Sequence, residues 1–163
     1  DLTALFDDAR QEAEAYLRAR DVFGGSGPEL PDVLDLEHGI GSRLKGALLA
    51  AFRLDRAKRH EFTVRWALAW LEHVTRRTGR RAWWYSSKIV WFSHLRLAPP
   101  ELLAELATYS LWLASYGSAI EAKRPMPRPF PRHKAHQFTG SGSIAGVDGR
   151  VDLSWALADD LRG

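Results

Sequence analysis

A parallel α/β fold with a less regular closing end is what this sequence of 163 residues predicts. Three observations carry that reading. Short apolar or aromatic runs of strand length alternate with longer stretches whose apolar residues recur every three or four positions. Clusters of glycine, proline and serine separate the two kinds of segment, and the last two strand-like runs are joined by only a glycine-rich turn. The length, with 45% hydrophobic and 26% charged residues, fits one compact domain over 1–163.

The elements follow in order. Leu2, Leu5, Phe6, Ala9, Ala13, Tyr16 and Leu17 recur at helical steps among acids and arginines, so residues 1–20 predict an amphipathic helix. Gly24, Gly25, Ser26, Gly27 and Pro28 end it. Val33, Leu34, Asp35, Leu36 and Glu37 then form a short run that predicts a buried strand over 33–37, which His38, Gly39, Gly41 and Ser42 terminate. A short helix is expected over 44–52 and a longer one over 60–77, with Phe62, Trp66, Ala69, Trp70 and Val74 on one stripe. Trp66 and Trp70 are expected in the core. Gly79 suits the position just past that helix, and Arg76 and Arg77 lie where its dipole favours cations.

The aromatic run 82–86 predicts a second strand, 100–106 a helix, 110–116 a third strand, 134–139 a fourth and 149–153 a fifth, short one. Residues 123–132 hold four prolines and predict a loop. The short turn before the fifth strand predicts an antiparallel or irregular end to the sheet.

Composition removes several kinds of chemistry. There is no cysteine, so disulfides, thiolate metal sites and cysteine nucleophiles are excluded. No apolar run reaches the roughly 18 to 20 residues that cross a bilayer, and Asp1 opens directly into the amphipathic segment, so neither a membrane span nor a signal peptide is expected in this chain. The net charge of +3 is unevenly spread: residues before Glu37 are acidic, whereas 53–81 and 123–134 are basic. Such patches suit an anionic polymer, nucleic acid or cell wall, and equally suit solvated helix faces and a basic loop.

On a strand, alternate side chains share a face, so Asp35 and Glu37 point the same way with Cα atoms about 6 to 7 Å apart. Two carboxyl groups at the C-terminal end of a strand lie where α/β folds place their ligands. Held together and partly buried, one acid can keep its proton while the other stays anionic, which is what cleavage of a glycosidic bond requires. Solvated acids at a strand terminus would look the same.

A metal site is the competing use of these acids, but His38, His133 and His136 lack the spacing of a zinc motif, and no metal is expected. The late glycine cluster leads into no helix that could bind phosphate, and Ser86, Ser87 and Ser115 lack a nucleophile-elbow setting. No recognition helix or stacking module accompanies the basic stretches, so nucleic acid is not an expected partner. Strand alternation puts Trp83 and Tyr85 on one face with Trp84 on the other, and groups Trp112 with Ala114 and Tyr116.

Taken in order, the motifs resemble the glycoside hydrolase family 25 lysozymes, whose fold is a modified β/α barrel. The helix containing Gln11 and Ala13 is similar to the family's Gln-Ala helix, and 30–37 to its strand bearing an Asp-x-Glu pair. The stretch 67–79 followed by Trp84, Tyr85, Ser86 and Ser87 resembles the long helix and next strand, and 111–117 the strand with a sugar-binding tryptophan and tyrosine. Residues 137–142, 144–153 and Trp155 resemble the closing segment.

The resemblance implies a muramidase without cofactor or metal, acting outside the cell or from a phage on bacterial peptidoglycan. It would cleave, with retention, the β-1,4 bond from N-acetylmuramic acid to N-acetylglucosamine. Glu37 would be the general acid. Asp35 would stabilise or orient the charge developing at the anomeric carbon, and Asp152 would line the same acidic floor. Tyr85, Trp112, Tyr116, Gln137 and His136 would contact substrate, although His136 and Phe138 stand where the family has tryptophan and tyrosine.

The resemblance further implies that this chain is the later two-thirds of the catalytic domain. An incomplete barrel of about five strands with helices outside is therefore expected. Its activity would be impaired or absent unless a missing N-terminal segment or a partner chain completes it. A non-catalytic peptidoglycan-binding module in a larger phage or wall-associated assembly is the alternative.

Overall fold

The computed structural model describes residues 3–22, 30–39, 50, 55–116, 126–130 and 132–161. The helix expected over 44–52 lies outside the described residues apart from Ala50. The elements run α1 (Thr3–Val22), β1 (Val33–Asp35), α2 (Arg56–Thr78), β2 (Trp83–Ser87), α3 (Lys88–Val90), a π-helical turn (Trp91–Leu95), α4 (Pro100–Leu106), β3 (Ser110–Ala114), β4 (Ala135–Gly142), β5 (Val151–Ala156) and α5 (Ala158–Leu161).

The five strands form one open sheet in the order β1-β2-β3-β4-β5. The first four are parallel and β5 returns antiparallel to β4, as the short turn requires. Register shifts break the β4–β5 ladder between Gln137 and Gly142, so that end of the sheet is also irregular. Among the described residues β1 and β5 are the two edges, the arrangement of an incomplete barrel.

Alternation divides the sheet into a helix-covered face and an open one. Leu34, Leu36, Trp84, Leu111 and Leu113 join the apolar stripes of α1, α2, α4 and the π-helical turn in a single core. Leu5, Ala9, Ala13 and Leu17 of α1 are buried, and so are Trp66 and Trp70 of α2, as their helical spacing requires. The loop expected after β3 sends Met126 and Phe130 into the same core, where Phe130 meets the rings of Trp84 and Trp91.

Local chemistry sets the boundaries. Asp55 caps α2 by accepting from the backbone N–H groups of Ala57 and Lys58, so the helix begins before the 60 expected from its apolar stripe. Gly79 ends it at φ 70°, a left-handed conformation that glycine adopts without strain, and its N–H bonds back to Thr75. Between β2 and α4, where no element is expected, Ser87 caps α3 through its side chain and the chain continues as the π-helical turn.

Asp32, just before β1, is buried and works structurally. Its carboxylate accepts a 2.8 Å bond from the Tyr16 hydroxyl and lies 3.5 Å from the Arg20 guanidinium, which ties α1 to the entry of β1. Its carbonyl accepts from Trp83 N–H at 2.8 Å, so β1 and β2 begin in fixed register.

Candidate active site

The site is built on the open face. With Leu34 and Leu36 anchored in the core, the pleat turns Asp35 and Glu37 the other way. Strand β1 is shorter than the expected 33–37, but its pairing continues one residue further. Leu36 N–H donates to the Tyr85 carbonyl at 2.9 Å, and the buried Ser86 hydroxyl donates to the Leu36 carbonyl at 2.8 Å. Glu37 is therefore held by bonds on the residue before it.

Asp35, Glu37 and Asp152 line one cavity of about 550 Å3, together with Val33, Tyr85, Trp112, Gln137 and Ser154. Its elements come from both ends of the sheet. Trp112 donates its indole N–H to Ser154 at 3.2 Å and meets the Tyr85 ring edge-on, with centroids 5.6 Å apart. Tyr85 shares the neighbouring cavity with Tyr116, whose hydroxyl accepts from Gln137 Nε2 at 2.6 Å. A side chain at Gly140 would approach Asp152 Oδ1 to 3.2 Å and Tyr116 Oη to 3.4 Å, so the bare glycine lets both groups crowd that point of β4. Beneath the acids, Trp83, Val33, Trp112 and Ala135 line an apolar hollow of about 290 Å3.

Electrostatics separate Asp35 from an ordinary surface carboxylate. Burial raises the Asp35 carboxyl above the usual aspartate range, the charge of Glu37 raises it further, and His38 offsets part of this. Burial also raises the Tyr85 hydroxyl, followed by its bond to Tyr116 and the charges of Tyr116, Glu37 and Asp35, so Tyr85 stays protonated and able to donate. A site with paired acids, one of them reluctant to ionise, and a phenol that keeps its proton beside an indole can move a proton and hold the face of a sugar ring.

A second cavity, about 740 Å3, opens from the first and shares Glu37 and Tyr85 with it. Tyr116, Ser87, Ala114 and Ser115 line it, and so do Lys88, Ile89 and Phe92, from α3 and the π-helical turn, and Pro127. None of the latter group is among the expected contacts, although Ile89 and Phe92 lie on the opposite stripe from buried Val90, Trp91 and Leu95. Ser154 also goes unexpected, because the strand predicted to stop at 153 continues to Ala156.

Of the expected substrate contacts, Tyr85, Trp112, Tyr116 and Gln137 are brought to these two cavities, and His136 is not. Gln137 faces the open side, so its neighbour on the strand turns away. His136 is 3% exposed, its Nε2 bonds to the Ser115 carbonyl at 3.0 Å, and its ring packs against His133 and Trp155. His136 thus stands outside the lining of both cavities. Among the described residues no group of three His, Asp or Glu side chains is placed to hold a metal ion, and no helix is long and apolar enough to cross a membrane.

An acidic pair on the open face of such a sheet, faced by an aromatic wall, is the arrangement of a glycoside hydrolase. Residues 3–147 match the model of glycosyl hydrolases family 25, and the chain belongs to that family. Its structure is similar to the spore cortex lytic enzyme SleM of Clostridium perfringens, with a TM-score of 0.71 and 23% identity over 96% of this chain and 47% of that one. It is also similar to a bacterial lysozyme from Streptomyces coelicolor (TM-score 0.58, 21% identity, 82% of this chain and 56% of that one). A third is the catalytic domain of endolysin ply40 from Listeria monocytogenes bacteriophage P40 (TM-score 0.58, 21% identity, 95% and 63%). The chain thus spans about half the length of the first of these structures. No curated protein sequence matches it.

Proposed function

We propose that this chain acts in hydrolysis of the β-1,4 bond between N-acetylmuramic acid and N-acetylglucosamine in bacterial peptidoglycan. It would work outside the cell or in phage-driven lysis. The observation that carries the reading is the convergence of Asp35, Glu37 and Asp152 on one cavity, in a chain of family 25.

Glu37, where the two cavities meet, donates its proton to the glycosidic oxygen as the bond breaks. Asp35 and Asp152 lie on the side where positive charge develops at the anomeric carbon. Asp35 either holds its proton and orients the substrate's acetamide, which attacks the anomeric carbon, or, once ionised, bonds to that carbon itself until water displaces it; each route gives retention. Tyr85 and Trp112 pack against the sugar, and Gln137 holds Tyr116 in place.

Strand β1, which carries the acids, has one partner among the described residues. We propose that rapid turnover needs another strand along its outer edge, from a longer chain or a partner, to wall the cleft and exclude water. Reducing ends released from purified walls test the reading. The chain should bind walls and release reducing ends slowly, and Glu37→Gln should bind equally and release none. Binding with no release from either would support a non-catalytic wall-binding module instead. Absence of binding would sink both readings, and rapid clearing of wall turbidity by this chain alone would contradict the need for a further strand.

A further inference from the structure

The second cavity sets beside its tyrosine rings and serines a stretch of different chemistry. Ile89 is 78% exposed and Phe92 55%, and with Pro127 and Tyr116 they make an apolar wall beside an acid. Large apolar side chains left together at the surface mark an interaction site. Their exposure has a local cause: Val90, Trp91 and Leu95 fill the core from the other stripe, and the π-helical turn continues α3 so that Ile89 and Phe92 project outward. Lys88 adds a positive charge to the same lining. A sugar face calls for flat rings with polar neighbours. The branched alkyl group and the cation beside those rings suit, in addition, a ligand with methyl groups and a carboxylate.

On the reading proposed above, one part of the substrate has that composition. Each muramic acid carries a lactyl-linked peptide with alanine methyls and free carboxylates. We propose that the Lys88, Ile89, Phe92 and Pro127 wall is a subsite for this stem peptide, engaging it on the sugar next to the bond under attack. The cavity shares Glu37 and Tyr85 with the acidic one, so a peptide lying there is one sugar or less from the cleavage point. Its volume of about 740 Å3 is that of a small-ligand site. The chain would therefore discriminate between wall that retains its peptides and wall that has lost them.

The test is titration of the chain with a soluble muramyl glycan bearing its stem peptide, and with the same glycan after amidase has removed the peptide. The peptide-bearing ligand should bind roughly tenfold tighter, from apolar burial and one ion pair. In an Ile89→Ser, Phe92→Ser double variant this advantage should vanish while the affinity for peptide-free glycan is unchanged. Both positions are exposed, so folding should survive, and circular dichroism checks it. Lys88→Gln should remove part of the advantage. Equal affinity of the wild type for the two ligands would overturn the subsite while leaving the glycan reading intact, as would an advantage that survives in the double variant. Failure to bind either ligand would overturn the peptidoglycan reading itself.

Discussion

Gln137 on β4 donates from Nε2 to the hydroxyl of Tyr116, just past the end of β3, across 2.6 Å. The bond fixes a phenol that is otherwise half exposed and that lines a cavity with Tyr85 and Glu37. The end of β3 is thereby tied to β4 at the wall of the site.

Gln137→Leu keeps the volume of a side chain that is 4% exposed but removes the donor. One neutral hydrogen bond contributes about 1 kcal/mol, so KM should rise roughly fivefold while kcat changes less. Steady-state kinetics on a soluble glycan check this, and an unchanged KM would show that Tyr116 holds its place unaided.

Gly140→Ala tests the crowding of Asp152 and Tyr116. The new methyl would lie 3.2 Å from Asp152 Oδ1, which must shift by a few tenths of an ångström, and 3.4 Å from Tyr116 Oη, an ordinary contact. Gly140 has no positive φ, and the substitution brings no backbone strain. Small displacements of reacting groups are costly, and kcat should fall about tenfold with little change in melting temperature. Wild-type kcat in this variant would remove Asp152 from the chemistry.

Asp35→Asn separates stability from function through pH. Because burial and the Glu37 charge raise the folded-state pKa of Asp35, the folded chain holds that proton more tightly than the unfolded chain does. The resulting stability is present below the unfolded value of about 3.9 and is lost as pH rises through the folded value. The asparagine variant should therefore melt higher than wild type at neutral pH, match it near pH 3, and be inactive. A variant that melts lower at neutral pH would show that Asp35 is not held against its preference.

His136→Gln tests the face to which that residue turns. Affinity for wall fragments should stay within about twofold, since the ring lies on the side away from both cavities. Stability should fall, at roughly 2 to 4 °C in Tm for each kcal/mol of lost packing with His133 and Trp155. A large loss of affinity with unchanged Tm would return His136 to the site.

Much of this was legible in the order of the residues, because helix and strand periodicities are local. Alternation alone places Asp35 with Glu37 and Trp83 with Tyr85, and the three- and four-residue steps of α1 and α2 set their buried stripes. The same rule bears on His136 and Gln137: neighbours on a strand cannot face one cavity together. The fold is thus the sequence's own statement, down to the antiparallel last strand that a short turn enforces.

Only tertiary structure decided which distant groups meet. Asp152 joins Asp35 because β5 folds back on β4 with register shifts that no period forecasts, and Ser154 arrives with it. Asp32 and Asp35 sit three residues apart in one acidic motif, yet one anchors Tyr16 and the other lines the cleft. The cause is that a carboxylate's role depends on what packs beside it, and packing is set by the whole sheet and its helices, beyond the reach of any local pattern.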